Sequence, residues 1–491
     1  MNATTLAPTT GRSLSTGLGK LTLALLCAVA FLDFVDASIV NIALPDIRND
    51  LNFSVQSLQW VPSGYLLTYG GFMLLGGRAA DLFGRRRVLV AGTVTIGVSS
   101  LVGGFAGTGD LLIAARLAQG VGAALMLPAA LSILTTTFPE GPERRAALGV
   151  WGGVGGLASA VGVFLGGLLT EGPGWRWVLF VNPLVCVLVL PAVFALIPAD
   201  RSPGRAGRVD AVGALLATGG MLLLVHALVE APDRGWGTVR TVGEIAAALV
   251  LLTLFLLREQ RTRNPLLPLS IFRIRGLAAA NVTGLIVFAG LIAMFFFLTL
   301  YMQNVLGFSP MQTGAAYLPL CLGVGVAAGV SAQLIGRVGT RPVIVSGAAI
   351  ASAGLFGLSR LAVDGSYLHD LLPWLMVVSV GLGAVFVAVT TAANAGVPED
   401  KAGLAAALLN SAQQVGSALG LAIFAAIATS RTAALGASGV AAPEALTSGF
   451  ARALVVGAVF LLAAALIGLR TVNAHGEGDR REPELSGSPR R

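Results

Sequence analysis

The chain of 491 residues is 55% hydrophobic, only 11% charged, and carries 64 glycines, whereas soluble domains run at about 25% charged residues. This composition excludes a soluble globular protein and fits membrane helices, in which glycine is frequent. The 32 Lys and Arg outnumber the 24 Asp and Glu, for a net charge of +8. The basic residues are scattered between apolar runs, so they mark membrane topology and give no basis for nucleic-acid binding.

In chain order, a polar tail over 1–20, with Arg12 and Lys20, precedes the first apolar run. That run is too long for a signal-peptide core, contains acids and lacks a small-residue cleavage site, so it is expected to stay in the mature protein. A membrane helix needs about 20 mostly apolar residues. Candidate spans fall at 21–45, 57–78, 88–107, 111–137, 146–170, 177–198, 210–230, 241–258, 276–303, 311–335, 342–362, 370–397, 403–429 and 449–471. Barrel strands would be about ten residues long with alternating polarity. The expectation is therefore an all-α membrane protein of 14 helices. With the N-terminus placed in the cytoplasm, about three quarters of the Lys and Arg fall on that side. Both termini are then cytoplasmic, including a tail over 472–491.

A faint internal repeat supports a layout in halves. "GGRAADLFGRRRV" after the second span echoes "AQLIGRVGTRPV" after the tenth, with Gly84 matching Gly339 and Gly336 standing at the place of Asp81. Parallel repeats of this kind occur in transporters. The expected domains are a six-helix bundle over 21–198, two additional helices with linkers over 199–265, and a second six-helix bundle over 266–471.

Several positions carry chemistry. In "FLDFVDASIVNIALP" (31–45), Asp33 and Asp36 stand at i and i+3, which share a helix face. Each charge at mid-bilayer costs about 2.5–3.5 kcal/mol on insertion scales, so such acids are functional candidates by default. The bland alternative is an ion pair that only stabilises packing. Two interacting carboxylates titrate as a coupled unit. A protonated acid tolerates the bilayer and a deprotonated one holds a cation, so the choice between them can couple proton entry to solute exit. Asp36 is the expected main proton carrier, with Asp33 tuning it or contacting substrate. Arg116, deep in the fourth span, stays charged and requires an anion or a polar network.

In the thirteenth span Asn410, Gln413 and Gln414 face one direction, suited equally to a substrate cavity and to interhelical hydrogen bonds; Asn41 is a further cavity candidate. The glycines of the fifth span, Gly162, Gly166 and Gly167 among them, allow close helix approach and are expected at the interface between the halves. The cysteines Cys27, Cys186 and Cys321 form no C-x-x-C pair, so neither a disulfide framework nor a zinc site is expected. There is no P-loop match. No metal or cofactor is expected, and energy must come from an ion gradient.

These motifs, in order, resemble those of the major facilitator superfamily, and more narrowly its fourteen-span drug:proton antiporters, over roughly residues 20 to 430. "VDASIVNIALP" resembles the first-span signature, which makes Asp36 the family's carboxylate and Asp33 an addition. "GGRAADLFGRRR" resembles the superfamily's loop signature, and "RLAQGVGAA" its fourth-span motif. "WRWVLFVNP" and "NSAQQVGSALG" resemble features of the fourteen-span branch. The resemblance implies a proton-coupled antiporter, not an enzyme, that exports amphipathic drugs or antibiotics by alternating access and confers resistance. It further implies a small-molecule substrate, protons and the lipid bilayer as partners, and a monomer in the plasma membrane. Arg116 would engage the carboxylate in one conformation and release it in the other. Gly77, Asp81, Gly84, Arg85 and Arg86 would form a conformational latch, Asp81 meeting a facing helix N-terminus where the dipole favours an anion. One departure is Val163, which stands where the fifth-span antiporter motif has proline. It supports a rival reading, a proton-coupled transporter of a defined metabolite such as an amino acid, peptide or siderophore.

Overall fold

The computed structural model describes residues 13–139, 141–199, 210–262, 265–398 and 401–475. Arg12, Arg201, Arg205, Arg208, Arg263 and the basic residues after His475 lie outside the described residues. The long elements are all helical: α1 (Gly17–Asp50), α2 (Trp60–Phe83), α3 (Arg85–Gly104), α4 (Gly109–Thr137), α5 (Pro142–Glu171), α6 (Arg176–Leu196), α7 (Ala211–Arg234), α8 (Val239–Arg261), α9 (Leu277–Asn304), α10 (Pro310–Val338), α11 (Thr340–Leu358), α12 (Leu372–Asn394), α13 (Ala402–Ala437) and α14 (Ala442–Gly468). Each expected span holds one of them. Thirteen helices among the described residues are long and apolar enough to cross a membrane. The remaining one, α2, has the length but is diluted by Ser63, Tyr65, Thr68 and Tyr69, all of which it buries.

Local chemistry explains where these helices begin and how far they run. The Thr16 side chain caps α1 by accepting from the Gly19 N–H, satisfying one of the orphan donors of the first turn. The helix then passes through Pro45 and ends only at Asp50. The sequence reading closes this span at Pro45, but a membrane helix tolerates proline where neighbouring groups re-satisfy the freed carbonyl. The joint after α2 is a single residue. Gly84, at φ +101°, precedes Arg85 and the start of α3. An L side chain rarely adopts that backbone region, so glycine is required. The expected loop motif is therefore mostly helix: Gly77 and Asp81 ride on the last turns of α2.

The chain divides into two compact units. The first contains α1–α6, the start of α7 as far as Thr218, and the short stretch Phe308–Ala315. The second contains Val55–Gln59, Gly219–Gly307 and the chain from Ala316 onward. In the first unit α1 packs on α5 and α6, and α3 packs on α4 and α6. In the second, α9 packs on α13 and α14, and α11 packs on α12 and α14. This is the same pairing displaced by eight helices, and the sequence repeat sits at equivalent joints. Gly339, at φ +86°, caps α11 as Gly84 caps α3.

Candidate functional site

Successive residues of an α-helix turn by 100°, so Asp33 and Asp36 project from α1 about 60° apart. That offset sends them to different neighbours. Both carboxylates are buried, at 3% exposure each. Asp36 Oδ2 accepts from Arg116 Nη1 on α4 at 2.8 Å. Its Oδ1 accepts from Gln119 Nε2 at 3.3 Å and from Asn182 Nδ2 on α6. The cation is fixed in turn. Arg116 Nη1 also donates to Gln119 Oε1 at 2.9 Å, and Nε donates to the Val61 carbonyl at 3.1 Å. Ser100 Oγ on α3 accepts from Gln119 Nε2 and from Asn182 Nδ2 at 3.2 Å. Side chains of α4 and α6 thus converge on one carboxylate of α1, backed by Ser100 of α3 and the Val61 carbonyl of α2, and the carboxylate is paired with a guanidinium that is itself 1% exposed.

Asp33 faces α2. Its Oδ1 accepts from the Tyr65 hydroxyl at 3.0 Å and its Oδ2 from the Tyr69 hydroxyl at 2.9 Å. Among the described residues no Lys, Arg or His forms an ion pair with it. Tyr65 joins the two acids: its hydroxyl serves Asp33, while the Arg116 guanidinium lies over its ring, 4.3 Å from the centroid. The arrangement runs from Asp33 through Tyr65 and Arg116 to Asp36, with one fixed cation for two acids.

Sequence reasoning brings Asp33, Asp36 and Arg116 together here and misses Tyr65, Tyr69, Ser100, Gln119 and Asn182. Signals for some of them exist. Gln119 follows Arg116 by three positions inside "RLAQGVGAA", Asn182 is the asparagine of "WRWVLFVNP", and Tyr65 and Tyr69 stand at i and i+4. Nothing in the chain order pairs them with a particular acid.

The other candidates spread out. Asn41 is buried on α1, and its Nδ2 donates to the Ala37 carbonyl at 3.0 Å. Asn410, Gln413 and Gln414 lie on α13 in the second unit; Asn410 Nδ2 donates to the Ala406 carbonyl at 3.1 Å, a bond within its own helix. The glycines expected between halves do much of their packing inside the first unit. A Cβ on Gly162 would come within 2.8 Å of Ser38 Cβ, and one on Gly166 within 2.6 Å of the Ile39 carbonyl oxygen, both on α1. One on Gly167 would meet the Pro310 carbonyl oxygen at 2.6 Å. Val163 is buried in an unbroken α5. At the expected latch, Asp81 is exposed and takes no hydrogen bond among the described residues. The arginines beside it do hold neighbours: Arg85 Nη1 donates to Thr136 Oγ1 at 2.7 Å at the end of α4. Arg86 stacks on Phe194 of α6, 4.9 Å from its centroid.

Comparison with known proteins places this architecture. The profile of the Major Facilitator Superfamily matches residues 26–421. The chain is 42% identical over 450 residues to the puromycin resistance protein pur8 of Streptomyces alboniger, covering 91% of this chain and 89% of the relative. It is 38% identical to the cephamycin export protein CmcT of Amycolatopsis lactamdurans, covering 94% of each, and 37% identical to a lincomycin resistance protein of Streptomyces lincolnensis, covering 83% and 84%. In fold it is similar to a bacterial homologue of the human lysosomal transporter Spinster, with a TM-score of 0.64 at 16% identity over 92% of this chain and 97% of that one. The chain is a multi-pass membrane protein and belongs to the Major Facilitator Superfamily.

Proposed function

We propose that the protein exports amphipathic antibiotics from the cytoplasm in exchange for protons, by alternating access, from a plasma membrane in which both termini are cytoplasmic. Relatives named for puromycin resistance, cephamycin export and lincomycin resistance support drug efflux over transport of a defined metabolite. The observation that carries proton coupling is the imbalance of charge around α1: of two buried carboxylates, Asp36 is paired with the Arg116 guanidinium, while Asp33 has no ion pair among the described residues.

Asp36 is satisfied by Arg116. Among the described residues a negative charge on Asp33 would face only two hydroxyls, those of Tyr65 and Tyr69, so its compensation has to be mobile. A proton serves in one state and the cationic group of a substrate in the other. Binding of the substrate then releases the proton, and the two cannot occupy the carboxylate together. This moves the exchangeable proton from Asp36, the carrier expected from sequence, to Asp33. Asp36 and Arg116 become the fixed counter-charge, and Tyr65 carries any shift of Arg116 to the hydroxyl that holds Asp33. Val163 takes no part in these contacts.

A growth panel in a host stripped of its own exporters tests the reading. Expression of the chain should protect against at least one of puromycin, cephamycin and lincomycin, and protection should vanish with Asp33→Asn. Protection against none of them, with the protein present in the membrane, would contradict drug export. Protection that survives in Asp33→Asn would contradict the assignment of the proton.

A further inference from the structure

Away from the carboxylates, the second unit holds a cavity of about 470 Å³ bounded by α13, α14 and Trp236 between α7 and α8. Two arginines, Arg431 and Arg452, line it together with Ser430. Both stand at the edge of the expected spans 403–429 and 449–471, Arg431 just past the end of the first and Arg452 three residues into the second. At 1.5 Å per residue, Arg452 stands about 15 Å inside α14 and Arg431 about 9 Å before the end of α13. Arg431 Nε donates to Ser448 Oγ at 3.3 Å. Arg452 has no hydrogen bond or ion pair among the described residues, and no carboxylate there pairs with either arginine.

Arginine cannot shed its charge, and a charged group within a span either pairs or reaches the interface. Arg452 does not face the protein core: it is exposed, and it shares its stripe of α14 with Val459 and Leu466, seven and fourteen positions on, which are 59% and 63% exposed. That stripe is apolar and unburied, as a lipid-facing surface must be. Trp236, which lines the cavity and is 51% exposed, is the residue type enriched where bilayer and water meet. The cavity therefore combines two cations lacking an anion, an interfacial ring and an apolar track leading into the membrane.

We propose that Arg431, Arg452 and Trp236 bind the headgroup of an anionic phospholipid, its phosphate between the guanidiniums and an acyl chain along Val459 and Leu466. The site is independent of the transport reading and stands or falls without it.

The test uses the full chain in vesicles containing phosphatidylglycerol or phosphatidylcholine with brominated acyl chains, which quench tryptophan on contact. The Trp236 signal is the difference between the unsubstituted protein and Trp236→Phe. Brominated phosphatidylglycerol should be enriched at Trp236 over phosphatidylcholine by about fivefold per arginine, the strength of a basic side chain near an anionic lipid surface. Arg431→Gln with Arg452→Gln should abolish the preference, while the corresponding pair of Lys variants should keep most of it. If the double Gln protein cannot be recovered folded, each single Gln variant should still lose about fivefold. Equal quenching by the two lipids in the unsubstituted protein would overturn the proposal. So would loss of the preference on adding millimolar glycerol phosphate, since the site would then take a free phosphate and not a lipid.

Discussion

Asp33 and Asp36 are separated by one turn of α1, equally buried and chemically identical, yet they sit in opposite electrostatic settings. Asp36 is clasped by a guanidinium and two amides from α4 and α6. Asp33 rests on two tyrosine hydroxyls from α2. The first setting is a completed ion pair, whose removal leaves a buried cation. The second has no Lys, Arg or His paired with it among the described residues. The comparison teaches that an intramembrane acid is not a proton carrier by its presence alone. In the proposed function, what decides is whether its charge is already answered by the fold.

The largest effect should come from breaking the completed pair. Arg116→Ala leaves Asp36 buried without its cation, and losing one partner of a buried pair costs about 3–5 kcal/mol. Unfolding in detergent should register that loss, and adding Asp36→Asn should return part of it while adding Asp33→Asn should not. Equal rescue by both would erase the distinction between the two acids. Next in size are the amide and hydroxyl partners. Asn182→Ala and Tyr65→Phe each remove a hydrogen bond to a buried carboxylate, worth about 1.5–3 kcal/mol when the acceptor is charged and about 1 kcal/mol when it is neutral. Under the proposed assignment of the exchangeable proton to Asp33, Asn182→Ala, which strips a donor from the carboxylate paired with Arg116, should be the costlier. Tyr65→Ala should exceed Tyr65→Phe, since it also removes the ring under Arg116. The smallest stability effect should follow Asp81→Asn, within about 0.5 kcal/mol as for an exposed surface position. It should slow transport while leaving substrate affinity unchanged, because the expected latch biases a conformational equilibrium. A collapse of affinity at constant conformational balance would refute the latch.

Much of the fold was legible because hydropathy reports each span locally, and the fourteen runs each contain a long helix. Asp33, Asp36 and Arg116 were legible for the same reason: a charge in an apolar run is conspicuous. Their partners were not. Ser100, Gln119 and Asn182 are neutral polar residues that could bond their own helices, as Asn41 and Asn410 do. Periodicity places Asp33 and Asp36 on one face, but the 60° between them matters only once α2, α4 and α6 are in place. The glycines show the same limit. Their spacing signals a close approach, but not that Gly162 and Gly166 approach α1.

The central claim, that Asp33 holds the exchangeable proton while Asp36 is fixed to Arg116, is tested most directly by proton release on substrate binding. The purified protein, in weakly buffered detergent with a pH indicator, is mixed with a cationic compound selected by the growth panel. Binding should release protons, and by linkage the affinity should rise as pH rises. Asp36→Asn, if recovered folded, should still release protons. Asp33→Asn should release none, and its affinity should no longer depend on pH. Full release by Asp33→Asn together with none from Asp36→Asn would contradict the account and return the proton to Asp36.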